Sequence, residues 1–278
     1  MKPAVYFSIL LTIVSLNATA QNRSLETLVK QLETTYQIDV RYDSIEVAPL
    51  KLESKIRKQR YGFVLQLNKF DITLQPDTVI LKRHLTLLIE EFKVYPKDYF
   101  ERIGMKSLCL LESIYYGKSR REAAPDDGRG VLMLESSARL IDNTTYLKYA
   151  FHHDLHHYAE VGADIDRFKL WKKWDKLNPK KFEYFGTGAM QDEKKYAHLD
   201  FGYVHPREGF ITNYAMTAAV EDRAEMAAYI IIPEYRVDLW PLLEEDKLLV
   251  KKVDFMLDLF SEISGTKENY WTKAMMPD

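Results

Sequence analysis

The stretch Tyr149–Tyr158 reads YAFHHDLHHY and places four of the chain's seven histidines within six residues. If the stretch is helical, residues four apart lie on one face. His152 then pairs with His156, and His153 pairs with His157. Because adjacent residues point about 100° apart, the two pairs cannot both serve one metal ion. The spacing therefore predicts a metal-binding helix, with one of these pairs as ligands.

The residue after His153 favours the second pair. In the pattern His-Glu-x-x-His, the carboxylate after the first histidine takes a proton from water activated by zinc. Residues 153–157, HDLHH, fit this pattern with Asp154 in place of glutamate. We therefore predict His153 and His157 as ligands, and His152 and His156 as supporting or surface residues. Four apolar residues predict the buried stripe of the same helix: Leu147, Phe151, Leu155 and Tyr158.

A catalytic zinc site needs a third protein ligand and an open position for water. The segment 213–232, NYAMTAAVEDRAEMAAYIII, predicts a buried, alanine-rich helix that nevertheless carries acidic residues. A buried carboxylate needs a partner, and a cation can supply it. This favours Glu221 as the third ligand. In the alternative, Asp222 and Glu225 lie on the exposed side of the helix, where Arg223 balances their charge. The full set of downstream candidates for the third ligand is Glu160, Asp164, His198, His205, Glu221 and Glu225.

Three segments together resemble a known family: HDLHH at 153–157, GFITNYA at 209–215 and EDRAEM at 221–226. They are similar to the gluzincin-type zinc-binding metallopeptidases of bacterial envelopes, which include substrate-import-associated zinc metallohydrolases. A more distant resemblance is to lethal-factor-like and Pro-Pro endopeptidases, which place a catalytic tyrosine seven residues before the glutamate ligand. Tyr214 lies seven residues before Glu221. The close match covers about residues 145–232.

The resemblance implies a secreted zinc-dependent metallopeptidase that hydrolyses peptide bonds in a peptide or protein substrate by means of an activated water. It also suggests an association with an outer-membrane nutrient-import system. The roles it implies are Zn²⁺ ligands at His153, His157 and Glu221, a general base at Asp154, an oxyanion donor at Tyr214, and orientation of a ligand histidine by Glu225 or Asp222.

Asp154 departs from the family pattern, because aspartate is one methylene shorter than glutamate. A base must come within about 2.6–3.2 Å of the group it deprotonates, and the shorter side chain falls back by about 1.5 Å. This leaves an alternative: a catalytically weak zinc-binding envelope module that recognises a peptide or glycan. A third alternative is a metal scavenger that uses all four clustered histidines and binds more than one ion.

The first 20 residues predict a cleavable secretory signal. Lys2 precedes an apolar run from about Ala4 to Leu16, and Ala18-Thr19-Ala20 follows. The run is too short to span a bilayer, and no cysteine near the cut offers a lipid-attachment site. We therefore expect a secreted or periplasmic protein without stable membrane insertion after cleavage. A net charge of −2 over 278 residues argues against a nucleic-acid partner.

The segment pattern predicts an α+β fold, and the resemblance makes it zincin-like, with a small N-terminal sheet and a mainly helical C-terminal half. We expect one domain over residues 21–278, with an α/β part at 21–140 and a helical part with the metal site at 141–278. The stretch 117–130, GKSRREAAPDDGRG, predicts a loop, and residues 244–263 predict the last helix. His84 is expected to be a packed, hydrogen-bonded histidine.

Overall fold

The computed structural model of the chain describes residues 23–43, 70–74, 76–126, 128–186 and 199–276. The predicted signal at 1–20 and His198 lie outside these ranges.

Strands and helices alternate in the first half of the chain, whereas helices dominate the second half. The first half comprises α1 (Leu25–Tyr36), β1 (Asp39–Arg41), β2 (Phe70–Thr73), α2 (Thr78–Phe92), α3 (Tyr99–Arg102), β3 (Ser107–Leu111), β4 (Ser113–Tyr116), β5 (Ser119–Arg121), β6 (Ala123–Asp126) and β7 (Val131–Glu135). The second comprises α4 (Thr144–Gly162), α5 (Arg167–Asp175), β8 (Val204–Arg207), β9 (Phe210–Thr212), α6 (Ala219–Ile231), α7 (Pro233–Glu245), α8 (Lys247–Ser264) and α9 (Tyr270–Ala274).

The main sheet has the strand order β1-β3-β7-β6, in which β1, β3 and β7 are parallel and β6 runs antiparallel at the edge. Every residue of β3 is buried, as expected for a central strand covered on both faces. The strands β2, β4 and β5 form a second, antiparallel sheet, and β8 pairs with β9. The fold is α+β, which confirms the predicted class.

The prediction of a loop at 117–130 was wrong, because this segment contains the strands β5 and β6. Pro125 lies opposite Leu132 in the β6–β7 pair. Proline is tolerated in an edge strand, where its missing N–H leaves no gap in the ladder. The glycine, proline and aspartate content that suggested a loop is equally compatible with a short edge strand.

Two predicted helix boundaries also need correction. The sequence predicts Thr144 or Thr145 as the N-cap of α4. Asn143 caps it instead, since its side chain accepts from the backbone N–H of Tyr146. The helix predicted at 244–263 corresponds to α8 (Lys247–Ser264), but it is not the last, because α9 follows it. It is preceded by a separate helix, α7, which begins at Pro233. Proline suits the first turn of a helix because a backbone N–H at that position has no partner within the helix, so its absence in proline costs nothing. Asp246 separates the two and caps α8.

Helix α4 lies in the core with all four residues of its predicted apolar stripe buried. At its C-terminal end, Gly162 passes so close to α3 that an added Cβ would lie 1.9 Å from the carbonyl oxygen of Ile103. The Tyr158 hydroxyl donates to the carbonyl of Gly104 at 3.0 Å. These contacts hold the C-terminal end of α4 against the end of α3.

His152 and His156 are both buried; His152 joins α4 to α2 and to the residues after it, whereas His156 contacts a carboxylate of its own helix. His152 lies between the Tyr95 hydroxyl, 2.7 Å from its Nδ1, and Glu91, whose Oε2 is 2.9 Å from its Nε2. His156 Nε2 lies 2.9 Å from Glu160 Oε1. Neither is a surface residue, because both side chains are almost fully covered.

Glu160 also forms the main ionic link between α4 and α6. Its Oε2 accepts from Nη2 of Arg223 at 2.7 Å, and its Oε1 accepts from Nε of the same guanidinium. Both side chains are buried. The ion pair lowers the pKa of Glu160 although burial alone would raise it. A buried ion pair of this kind fixes how the two helices pack, because any other packing would leave a buried charge without its partner.

Arg223→Met should therefore leave Glu160 buried without its partner and lower the free energy of unfolding by about 3–5 kcal/mol. Chemical denaturation in the presence of a chelator measures this without a metal contribution. The matched control is Arg83→Met, which removes the exposed Arg83–Asp142 pair and should cost less than about 1 kcal/mol. Equal losses in the two variants would contradict this role for the buried pair.

His84 of α2 is buried, as expected, but it lacks the expected hydrogen bond to a described residue. The side chain is buried, and neither ring nitrogen has a hydrogen-bond partner in the described part of the chain. Burial lowers the pKa of His84 to about 4. In the folded protein the His84 ring therefore stays neutral down to about pH 4. In the unfolded chain the same ring takes up a proton below the ordinary histidine pKa of about 6.5.

This difference should make stability depend on pH. Between pH 6.5 and about 4 the unfolded state binds the extra proton, so acidification lowers stability by about 1.4 kcal/mol per pH unit, about 3 kcal/mol in all. We expect His84→Leu to lose this dependence. Denaturation of both proteins at several pH values gives the difference, in which other titrating groups cancel. A difference that is constant over this range would contradict the buried, neutral histidine.

Candidate metal centre

Helices α4 and α6 bring His153, His157 and Glu221 together at one point. The Nε2 atoms of the two histidines are 3.1 Å apart. Each also lies 3.1 Å from Oε2 of Glu221. These three are the residues whose ligand atoms converge as a metal-binding group in the described part of the chain. The structure thus places together the three residues proposed from the sequence.

The donor atoms fit one zinc ion in both chemistry and spacing. Two imidazole nitrogens and one carboxylate oxygen form a donor set typical of catalytic zinc. Tetrahedral donors about 2.0–2.1 Å from a zinc ion lie about 3.3–3.4 Å from each other. The observed separations of 3.1 Å are close to this value. Glu221 lies in the first turn of α6, where the helix dipole favours a negative charge.

The electrostatics of the site favour a bound cation. Burial alone would raise the pKa of Glu221, but the neighbouring His157 and His153 hold it well below its ordinary value. Burial would lower the pKa of His153, but Glu221 and Glu225 raise it to about 10. The negative charge that stabilises a proton on His153 would equally stabilise a metal ion bound to neutral imidazoles.

Glu225 lies behind His153, one helical turn after Glu221. Its Oε1 is 3.2 Å from His153 Nδ1, although the contact lacks the alignment of a hydrogen bond. The Tyr149 hydroxyl donates to the same oxygen, and the Thr212 hydroxyl donates to Oε2 at 2.6 Å. A negative charge in this position favours a proton on Nδ1, which would leave Nε2 available to bind a metal ion.

Asp222 is engaged away from the metal centre. Its Oδ2 accepts from Lys252 Nζ at 2.6 Å, from the Tyr184 hydroxyl at 2.8 Å and from Trp174 Nε1 at 3.0 Å. Of the two acidic residues considered for orienting a ligand histidine, Glu225 is therefore the one beside His153. Asp222 instead ties α6 to α5 and α8.

Asp154 is half-buried and follows His153 on the helix. No hydrogen bond from a described residue engages its carboxylate. Burial raises its pKa, the neighbouring His153 and His157 lower it, and the charges of Glu221 and Glu122 raise it further. The net effect is a raised pKa, so the Asp154 carboxylate takes up a proton more easily than usual.

Tyr214 lies beside His153, with the two ring centres 5.8 Å apart. Its pKa is raised well above its ordinary value by burial and by the negative charges of Glu221, Asp154 and Glu225. The phenol is therefore neutral and keeps its proton as a hydrogen-bond donor.

His205 does not contribute to this centre. Its Nε2 lies 3.1 Å from Asp246 Oδ2, at the N-terminus of α8. His198 lies outside the described residues.

Two residues that support the centre were not singled out in the sequence: Tyr149 and Thr212. Tyr149 lies four residues before His153, so the helical spacing alone places it on the ligand face. Thr212 belongs to the GFITNYA segment, but its contact with Glu225 depends on how β9 packs against α6. Only the first of the two was accessible from the sequence.

No family model matches this chain, and no curated protein matches it. Its fold is similar to the crystal structure of a protein from Bacteroides caccae described as a "putative zinc-binding metallo-peptidase". The two sequences are 16% identical, the comparison covers 90% of this chain and 89% of the other, and the TM-score is 0.52. At this identity the likeness shows a shared fold.

Proposed function

We propose that the protein is a zinc-dependent metallopeptidase. The observation that carries the proposal is the convergence of His153, His157 and Glu221, with all three donor separations at 3.1 Å. The description of the Bacteroides caccae protein, which shares the fold, supports the same class. The proposed site consists of these three ligands with Asp154 and Tyr214 beside them.

Zinc bound here would supply Lewis acidity, which activates water and polarises a carbonyl group. Asp154 would accept a proton from the nucleophile and later deliver it to the leaving amine. Tyr214 would donate a hydrogen bond to the developing oxyanion. Glu225, held by Tyr149 and Thr212, would keep His153 in one tautomer and orientation.

A second candidate function is a zinc-binding module that recognises a peptide or glycan with little hydrolysis. The observation that favours it is Asp154, which is shorter than the usual glutamate and which no described residue holds by a hydrogen bond. A base displaced by about 1 Å can lose about 100-fold in rate.

We also propose that the protein acts outside the cytoplasm, in the periplasm or at the cell surface. The signal-like segment at 1–20 supports this location. Among the described residues, no helix is both long and apolar enough to cross a membrane. Peptide or protein substrates and an association with an outer-membrane nutrient-import system belong to the same proposal, on the resemblance in HDLHH, GFITNYA and EDRAEM.

Elemental analysis should find about one zinc per chain in the native protein and far less in Glu221→Ala, because two histidines alone are too few ligands. The control is Glu244→Ala, which changes an exposed glutamate of α7 and should keep its zinc. One zinc in both variants would show that another residue is the third ligand. No zinc in any of them after reconstitution would end the metallopeptidase proposal.

Substitutions at Asp154 separate the two candidate functions. For a peptidase, Asp154→Asn should keep its zinc and lose about 10²–10⁴ in kcat/KM on a fluorogenic peptide library, since the base is removed. Asp154→Glu should retain or raise activity. A native protein that binds zinc but cleaves nothing, next to an active Asp154→Glu, would favour the binding module. Unchanged kcat/KM in Asp154→Asn would show that Asp154 is not the base.

A further inference from the structure

The segment 167–181, RFKLWKKWDKLNPKK, concentrates positive charge in a chain whose net charge is −2. It holds seven basic side chains and one acidic one, so it carries a net charge of +6. All seven basic side chains are exposed. We call them the basic surface: Arg167, Lys169, Lys172, Lys173, Lys176, Lys180 and Lys181.

No ion pair joins any of the seven to another residue of the described chain. Other basic residues do find acids: Arg102 pairs with Asp98, and Arg120 and Arg139 pair with Glu135. Unpaired like charges on one short segment repel each other. An anionic partner would relieve this repulsion, so the segment is complementary to a negatively charged surface.

An exposed aromatic residue lies within the basic surface. Phe168 is 70% exposed, and its ring centre is 5.7 Å from that of Trp171. Lys172 follows Phe168 by four residues and therefore shares its face of α5. The opposite face of the helix is buried through Leu170 and Trp174. Phe168 thus projects outward between cations, and does not belong to the core.

Four of the seven basic residues lie on α5, and this helix is anchored to α6. Trp174 is fully buried, and its Nε1 donates to Asp222 on α6 at 3.0 Å. At the C-terminal side, the guanidinium of Arg207 lies 5.2 Å from the centre of the Phe182 ring and adds an eighth cation next to the surface. Because Asp222 adjoins Glu221, the basic surface and the metal centre are fixed to the same helix.

We propose that the basic surface docks the protein on an anionic lipid bilayer. A helix with basic residues around an outward aromatic side chain is suited to the membrane interface, where headgroups meet the charges and the acyl boundary accepts the ring. An acidic polysaccharide or peptide would pair with the cations but would not need Phe168 to be exposed. The interaction is peripheral, and it would hold the metal centre at a fixed orientation to the membrane.

The test is co-sedimentation of the exported protein with vesicles of phosphatidylcholine, alone or mixed with phosphatidylglycerol, at low and high salt. We expect binding only to the mixed vesicles, weakened by salt. The variant Lys169→Gln/Lys172→Gln/Lys173→Gln should bind roughly 100-fold more weakly, since each of the three cations near the surface contributes about fivefold. The matched control Lys30→Gln/Lys118→Gln/Lys267→Gln changes three exposed lysines elsewhere and should bind like the native protein.

Phe168→Ser provides the second readout. It should weaken vesicle binding while leaving binding to dextran sulfate, a soluble polyanion, unchanged. The proposal is overturned if the native protein does not bind the mixed vesicles, or if both lysine variants lose binding equally. It is also overturned if Phe168→Ser binds vesicles as well as the native protein, because the surface would then recognise negative charge alone. All these substitutions are at exposed positions, so circular dichroism should show unchanged folding.

Discussion

The packing of α4 against α6 is the contact on which the rest of the structure depends, because both helices bury charged side chains. Glu160 of α4 forms an ion pair with Arg223 of α6. In the other direction, Glu221 of α6 contacts His153 and His157 of α4, and Glu225 contacts His153. Each buried charge is tolerable only while the partner helix stays in place. A docking that satisfies the ion pair also brings the three ligand atoms together. Stability and the metal centre therefore rest on one interface.

The support of that interface comes from outside the two helices. Thr212, at the end of β9, holds Glu225, while Trp174 of α5 and Lys252 of α8 hold Asp222. On the far side of α4, Glu91 and Tyr95 hold His152. The four clustered histidines therefore divide into two functions. His153 and His157 face the candidate metal position, whereas His152 and His156 bind carboxylates that fasten the helix.

The α+β class and the convergence of the three ligand residues could be predicted from the sequence, since both depend on local spacing. The i, i+4 repeat of His153 and His157 fixes a shared face wherever the helix packs. Other features depend on long-range contacts and could not be predicted. The sequence offered both Asp222 and Glu225 as residues that could orient a ligand histidine. Asp222, however, points about 100° away from its neighbour Glu221 around the helix axis, and its carboxylate contacts Lys252 instead. Likewise β6 is a strand only because β7 lies beside it.

The central claim is that His153, His157 and Glu221 are ligands of a single zinc ion. Anomalous diffraction at the zinc edge from crystals of the metal-reconstituted protein tests it most directly. We expect one strong peak about 2.0–2.1 Å from Nε2 of both histidines and at bonding distance from the Glu221 carboxylate. A peak elsewhere, such as beside His205 and Asp246, or no peak at this position despite full reconstitution, would contradict it.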